Sequence, residues 1–288
     1  MRKCAVVILY NFSSKQLKKN MESYINQVDS LILIDNSDDG DIRDDVCQDS
    51  KIVYYAFGEN RGIAAALNQG FSIAIKLGYE WVLTFDQDSC APNGIFDTMY
   101  AYLADTNWEN IGIVSPLVRF FPQYDVKTSL DFKFVNSAIS SGSLINVDSY
   151  KAVGGFNEEL FIDLVDIEFC MRLRLSGYRI VELQSLILEH RLGNSFQVKI
   201  FGRHLAFITN HNYIRRYYMT RNALWISQHF RNLLPKECWR LSRTLFTDML
   251  KILFFESDKK TKLKAFRLGW KDAVCARMGK LNDNRLRE

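Results

Sequence analysis

The residues in this chain best equipped for chemistry are carboxylates placed where apolar runs end. Trp81-Val-Leu-Thr-Phe85 reads as a buried strand and stops at Asp86-Gln87-Asp88, two acids one residue apart. Hard divalent cations prefer carboxylate oxygens and often complete their coordination with substrate phosphates, so the pair is a candidate seat for an ion that grips a diphosphate. The same spacing also occurs in ordinary turns, because Asp readily bonds nearby backbone amides. Three further features stand at the ends of segments: Asp35 after Leu31 to Ile34, Asp166 near a helix start, and His190 in Leu186-Ile-Leu-Glu-His190. Such groups can converge on one edge of a parallel sheet although they are distant in sequence. Asp88 with His190 makes a mixed oxygen and imidazole set that suits Mn2+ or Mg2+ better than a thiolate-loving ion. Each also has a plainer reading. His190 alone is as readily a histidine bonded to a neighbour, and Asp166 an acid that satisfies the free amides and dipole of a helix start.

The elements that must position these groups follow a β-α-β-α-β rhythm. Apolar runs at Ala5 to Leu9, Leu31 to Ile34 and Ile52 to Ala56 alternate with polar, helix-like stretches around Lys15 to Gln27 and Asp41 to Gln48. This predicts an α/β fold built on a mostly parallel sheet covered by helices. Asn60-Arg61-Gly62 opens a fourth unit with a helix through Ala64 to Leu67, strong helix formers, and Gly78 where a C-cap belongs. A strand follows at Ile111 to Ser115, then an aromatic connection through Phe120, Phe121, Phe132 and Phe134, a small-residue strand at Ser140 to Ile145, and a Gly154-Gly155 turn. The next helix is expected from Leu164 to Leu175, with Asp163 as N-cap. From about Ile200 onward the pattern reads as helical and basic, and its most apolar patch is Leu245 to Phe255.

With 288 residues, 48% of them apolar, the chain can bury a large core. Six cysteines without C-x-x-C spacing disfavour a zinc knuckle and a disulfide framework and fit a reducing cytoplasm. No apolar stretch approaches the roughly 20 residues of a membrane-spanning helix. The net charge of +4 conceals a division: residues 1–195 hold 17 Lys and Arg against 26 Asp and Glu, and residues 196–288 hold 20 against 7. A cationic last third points to an anionic partner surface, lipid or nucleic acid, or to solvated helix faces. Its apolar patch, flanked by Arg243 and Lys251, reads equally as an interfacial helix or as one packed on the body or a second subunit. Neither Gly-x-Gly-x-x-Gly nor a Walker Gly-Lys-Ser/Thr run is present, which argues against dehydrogenase and P-loop readings.

A set of motifs in order carries a resemblance. It begins with Val6-Val-Ile-Leu-Tyr10-Asn11, Ile34-Asp35-Asn36-Ser37, Glu59-Asn60-Arg61-Gly62-Ile-Ala-Ala-Ala-Leu-Asn68-Gln-Gly70, Asp86-Gln87-Asp88 and Ser141-Gly142-Ser143. It closes with Gly154-Gly155-Phe156-Asn157-Glu158-Glu159-Leu160-Phe161-Ile162-Asp163, Asp166-x-Glu168-Phe169-Cys170-x-Arg172, His190 and Arg221-Asn222. In these the chain resembles the family 2 inverting glycosyltransferases of GT-A fold, and among them the bacterial rhamnosyltransferases. The resemblance implies a Rossmann-like mixed sheet that binds a nucleotide sugar, a catalytic domain over 1–198 with a donor half to about 115 and an acceptor half beyond it, and a helical basic region over 199–288.

It further implies a donor site formed by Tyr10, Asn11, Asp35, Asn36, Asn60, Arg61, Gly62, Asp86, Gln87 and Asp88. Tyr10 would pack on the base, Asp35 bond its edge and Asp86 lie near the ribose. Asp88 would bind Mn2+ or Mg2+ with His190, Asp86 being a further candidate ligand. Asp166 matches the second acid of the family's catalytic pair and would be the base; Val165 replaces the first acid, which leaves Asp163 as a rival. Ser143, Asp163, Glu168 and Arg221 are candidates for the acceptor side. The implied reaction is one in-line displacement from dTDP-β-L-rhamnose to a saccharide hydroxyl, on a lipid-linked surface polysaccharide intermediate of O-antigen or capsule type. Another hexose or a galactofuranose donor, or a nonenzymatic nucleotide-sugar-binding scaffold, are the competing readings. The expected setting is the cytoplasm, with peripheral contact to the anionic inner face of the membrane or self-association through the C-terminal helices, and no nucleic acid.

Overall fold

The computed structural model describes residues 1–38, 49–106, 109–121, 131–191, 196–200, 203–282 and 284–287. The helix expected over Asp41 to Gln48 lies outside them. The chain divides into two units: unit 1 is 1–158 with 165–190, and unit 2 is 159–164 with 191–288.

Unit 1 is built on an eight-stranded sheet. Its strands are β1 (Cys4–Leu9), β2 (Ser30–Asp35), β3 (Ile52–Ala56), β4 (Trp81–Asp86), β5 (Ile111–Phe121), β6 (Phe132–Phe134), β7 (Ser143–Asn146) and β8 (Arg179–Arg191), in the order β3-β2-β1-β4-β7-β5-β8-β6. The first four are parallel; β7 is antiparallel to β4 and β5, and β6 to β8. β1 is buried along its whole length, as expected of a central parallel strand covered on both faces. After β1 the chain builds outward through β2 and β3, then returns to place β4 on the other side of β1. That reversal makes the β1/β4 boundary a topological switch point, where the connections diverge and leave a crevice beyond the carboxyl ends.

Helix α1 (Ser14–Met21) is shorter than its polar pattern suggests. Tyr24 turns inward, fully buried, and stacks on Phe85 with ring centroids 5.3 Å apart, so the chain leaves the helix and makes only a 3-10 turn at Ile25–Gln27. Helix α2 (Ile63–Lys76) buries Ala64 to Leu67 against the sheet. It comes so close that a Cβ on Gly70 would run into Val6 of β1. Helices α3 (Ile95–Asp105), α4 (Val147–Ala152) and α5 (Val165–Leu175) complete the unit.

Unit 2 holds a two-stranded antiparallel hairpin, β9 (Phe196–Ile200) and β10 (Arg203–Ile208), and the helices α6 (Tyr213–Phe230), α7 (Pro235–Phe254), α8 (Lys259–Val274) and α9 (Asn284–Arg287). The helical reading from Ile200 onward is therefore corrected for Ile200 and for Arg203–Ile208. Phe196-Gln-Val-Lys-Ile200 alternates apolar and polar with period two, the strand signal. The helical run begins only after Asn212, whose side chain accepts the Arg215 amide at 2.9 Å as an N-cap.

The expected N-cap at Asp163 is also corrected. Phe161, Asp163 and Leu164 all have positive φ (63°, 66° and 63°), and α5 starts at Val165. Asp163 instead pairs through both oxygens with Arg215 inside unit 2. The amide of Asn222 donates to the carbonyls of Leu160, Ile162 and Asp163, and Arg221 donates to Glu159 and Leu160. These bonds hold a backbone that residues with a Cβ adopt only at a cost of about 1–3 kcal/mol each.

Candidate active site

The carboxyl ends of β2, β1 and β4 bring together a connected polar network. Register places Asp35 beside Leu9 and Asp86 beside Ile8, so the two acids flank β1 at nearly the same level, about 10 Å apart at two strand spacings. Tyr10 and Asn11 lie between them, just past β1. Tyr10 is 42% exposed, as an aromatic face that meets a ligand must be.

The Asp86-Gln87-Asp88 turn is fixed on three sides. Gln87 clamps the Tyr10 backbone: its Oε1 accepts the Tyr10 amide at 2.7 Å and its Nε2 donates to the Tyr10 carbonyl at 3.0 Å. Asn20, buried on α1, donates to the Gln87 carbonyl at 2.7 Å. From the β7 side Ser141 accepts the Asp86 amide at 3.1 Å and bonds Ser89 at 2.8 Å. Thr84 donates to the carbonyls of Ser140 and Ser143, which ties that turn to β4. The result is a rigid platform on which Asp88 is exposed and, among the described residues, meets no Lys or Arg.

Asp35 closes β2 and is enclosed. It is 2% exposed, with Oδ1 accepting the Ser37 amide at 2.9 Å and Oδ2 the Tyr54 hydroxyl at 2.6 Å. Asn36 is buried as well and joins β2 to the start of α2: its Oδ1 accepts the Arg61 amide at 2.8 Å, and its Nδ2 donates to Asn60 Oδ1 at 3.1 Å. Asn60 in turn accepts the Gly62 amide at 2.9 Å. Gly62 sits at φ 88° and ψ 161°, a region closed to residues with a Cβ, and no side chain caps the helix it starts. The first amides of α2 thus open at the same sheet edge, with Arg61 beside them, its guanidinium over Phe57 and bonded to Glu59 at 2.9 Å.

Asp166 lies in the first turn of α5, Oδ1 accepting the Ile167 amide at 2.9 Å. One turn on, Cys170 donates to the carbonyl of Ala138 at 3.7 Å, which lays this face of α5 on the segment leading to Ser141. Burial pushes the Cys170 thiol up to about 12, and the nearby Asp166 carboxylate adds to the rise. The helix carrying Asp166 is therefore fastened to the loop that buttresses Asp86. His190 ends the part of β8 that belongs to unit 1, and its side chain lies outside the described residues.

The acceptor-side candidates are engaged inside the protein. Ser143 is fully buried and donates to Ile139 at 2.6 Å. Glu168, 2% exposed, makes a two-pronged pair with Arg172 at 2.7 and 2.8 Å, and Arg172 reaches the Val153 carbonyl beside the Gly154-Gly155 turn. Arg221 is fully buried in unit 2 among backbone carbonyls, and Asp163 is held by Arg215. The structure gives each of these four side chains bonds inside the protein. Asn20, Thr84 and Tyr54 were missed in the sequence. Asn20 alone left a signal, a polar residue between Leu17 and Met21 on a face otherwise apolar.

Among the described residues no three His, Cys, Asp or Glu side chains form a cage for a metal ion. The donors that are present, the carboxylates of the 86–88 turn, fit a hard cation that takes one or two protein oxygens and draws its other ligands from phosphate and water. A cavity of about 200 Å3 lined by Arg2, Tyr79, Trp81 and Tyr100 sits at the opposite, amino-terminal edge of the strands, away from all these acids.

Residues 4–128 match Glycosyl transferase family 2. Over these residues the chain is similar to the family 2 glycosyltransferases. It is 29% identical to the dTDP-rhamnosyl transferase RfbF of Shigella flexneri over 236 residues, 76% of this chain and 77% of that one. It is 24% identical to the low-salt glycan biosynthesis hexosyltransferase Agl10 of Haloferax volcanii over 71% of this chain and 75% of that one. The mannosyltransferase PcManGT of Pyrobaculum calidifontis, solved with GDP-Man and Mn2+, matches with a TM-score of 0.59 at 13% identity, covering 96% of this chain and 88% of that one. The mixed sheet flanked by helices thus matches the GT-A fold.

Proposed function

We propose that the protein transfers L-rhamnose from dTDP-β-L-rhamnose, with inversion, to a hydroxyl of a saccharide acceptor carried on a lipid-linked surface polysaccharide intermediate. The observation that carries the reading is Asp88, an exposed carboxylate with no cationic partner among the described residues, on a hydrogen-bonded turn at the sheet's switch point. The nucleotide would lie across the ends of β1 and β2, its base against Tyr10 and its edge toward the Asp35, Ser37 and Asn11 cluster. Asp86 and Asp88 would hold Mn2+ or Mg2+, with His190 as a further ligand; the ion supplies positive charge to the leaving diphosphate. Arg61 and the open amides of α2 offer a second source of positive potential for the phosphates. Asp166 would take the acceptor hydroxyl proton as that oxygen attacks the anomeric carbon and the bond to the diphosphate breaks. The similarity to a dTDP-rhamnosyl transferase supports rhamnose. The hexosyltransferase relative supports another hexose donor as the second reading.

The test is nucleotide release from a panel of nucleotide sugars with Mn2+, Mg2+ or EDTA, for the wild type and for Asp166→Asn. Preference for dTDP-rhamnose, abolished by EDTA and lowered by about 100-fold or more in Asp166→Asn, is the expected result. Preference for another donor replaces the rhamnose assignment, and full turnover of Asp166→Asn with acceptor present overturns the base.

A further inference from the structure

Two helices of unit 2 carry, on the sides turned away from the core, a surface that internal packing does not account for. Helix α7 buries Cys238, Leu245, Asp248 and Ile252. On its other side Trp239, Arg243, Phe246 and Leu253 follow at helical spacing, with Phe254 beside them. Trp239, Phe246 and Phe254 are 63%, 57% and 68% exposed, and the exposed cations Lys236 and Arg240 flank the row. Helix α8 exposes Lys260, Lys264, Arg267 and Lys271, spaced four, three and four apart, beside Trp270 and Val274. Like charges at that spacing oppose helix formation. Among the described residues these four cations form no ion pair. Three acids of the unit are spent inside, Asp248 and Glu256 on Arg216 and Lys262, and Asp272 on Arg285, while the half-buried Glu237 and the exposed Asp258 stand at the starts of α7 and α8.

We propose that the aromatic row of α7 and the cationic row of α8 dock the protein on the surface of an anionic lipid bilayer. A helix whose exposed apolar face is bordered by Lys and Arg lies in the plane of a membrane interface. Trp side chains settle at headgroup level, and the cations meet lipid phosphates. Attachment is peripheral, since no described helix is long and apolar enough to cross a membrane. A second copy of the chain fits this surface poorly, because a two-fold contact would set the same cationic row against itself. A nucleic acid would neutralise the cations but leave Leu253 and Phe254 nothing to bury in. The proposal does not depend on which sugar is transferred, or on transfer at all.

Cosedimentation of the full chain with phosphatidylcholine vesicles, with and without a one-third share of phosphatidylglycerol, tests it. Binding to the anionic vesicles only, weakened by salt, is expected. The K260Q/K264Q/R267Q/K271Q variant should bind about 100-fold less or weaker still, since each cation near such a surface contributes about fivefold. F246S/F254S, with all cations kept, should lose about 10-fold or more. Trp fluorescence of the wild type should shift to the blue on vesicle binding, with the shift reduced in Trp239→Phe while binding persists. Both multiple variants change exposed side chains only, and an unchanged thermal transition shows that they fold. Absence of vesicle binding overturns the proposal. So does a concentration-dependent dimer lost in F246S/F254S without vesicle binding, or equal binding to nucleic acid in competition.

Discussion

Asp88 and Asp272 are the same side chain in opposite situations. Asp88 stands exposed at the end of β4 on a platform held by neutral polar groups, the Gln87 amide, Asn20 and Ser141, without a cationic partner among the described residues. Asp272 is fully buried on α8, with Arg285 on both oxygens at 2.7 and 2.8 Å and the Tyr217 hydroxyl at 2.8 Å. Burial pushes the Asp272 carboxyl up, but the Arg285 and Tyr217 hydrogen bonds outweigh it and hold the group below its ordinary value. A carboxylate matched with cations inside the protein holds structure together. One kept rigid yet unmatched is where charge can be supplied from outside, by an ion and the phosphates it carries.

Mutations at the two acids should therefore separate activity from stability. Asp88→Asn should lower glycosyl transfer by about 1,000-fold, the scale of losing one main electrostatic stabiliser, with the melting temperature unchanged. A variant with intact turnover breaks the comparison at its first term. Asp272→Ala should leave donor binding in place but cost about 3–5 kcal/mol in chemical denaturation, because Arg285 and Tyr217 lose their partner in the interior. Gln87→Ala removes the clamp between β1 and β4. An increase of about tenfold in the metal concentration needed for half-maximal turnover, with about 1 kcal/mol lost in stability, would show that the platform matters as well as the acid.

The smallest effect concerns pH. Burial, and after it the Arg215 guanidinium, holds His211 in unit 2 down to about 4, from an ordinary value of 6.5. Between those values the unfolded chain takes a proton that the folded one refuses, so stability is complete above pH 6.5 and declines as pH falls toward 4. His211→Gln should flatten that decline in urea titrations across the interval, with little change at neutral pH; an unaltered slope would assign the acid sensitivity elsewhere.

The sheet edge that carries the candidate donor residues was legible because its signals are local. Strand periodicity, the acids that stop it, the Gly62 that must precede α2 and the small residues that let α2 approach β1 are all short-range signals. The surroundings of the acceptor-side candidates were less so. Ser143 and Glu168 each bond a neighbour four residues away, Ile139 and Arg172, whereas Arg221 is taken by the 159–164 backbone about 60 residues distant, which no short-range signal announces. The strand at β9 was overlooked because strong helical signals begin soon after it, and the N-cap at Asp163 failed because Arg215, 52 residues away, takes its carboxyl.

Sequence by itself determined that a parallel α/β sheet would end in Asp86-Gln87-Asp88 with a helix opening at Gly62, because apolar period, helix propensity and glycine's reach into positive φ act over a few residues. Only the tertiary structure decided which charges stay available. Asp88 is left exposed while Asp35, Glu168 and Asp272 are enclosed, and the cations of α8 stay outside while Arg216 and Lys262 go in. That sorting depends on which groups meet across the fold, since a buried charge is tolerated only where its partner arrives with it.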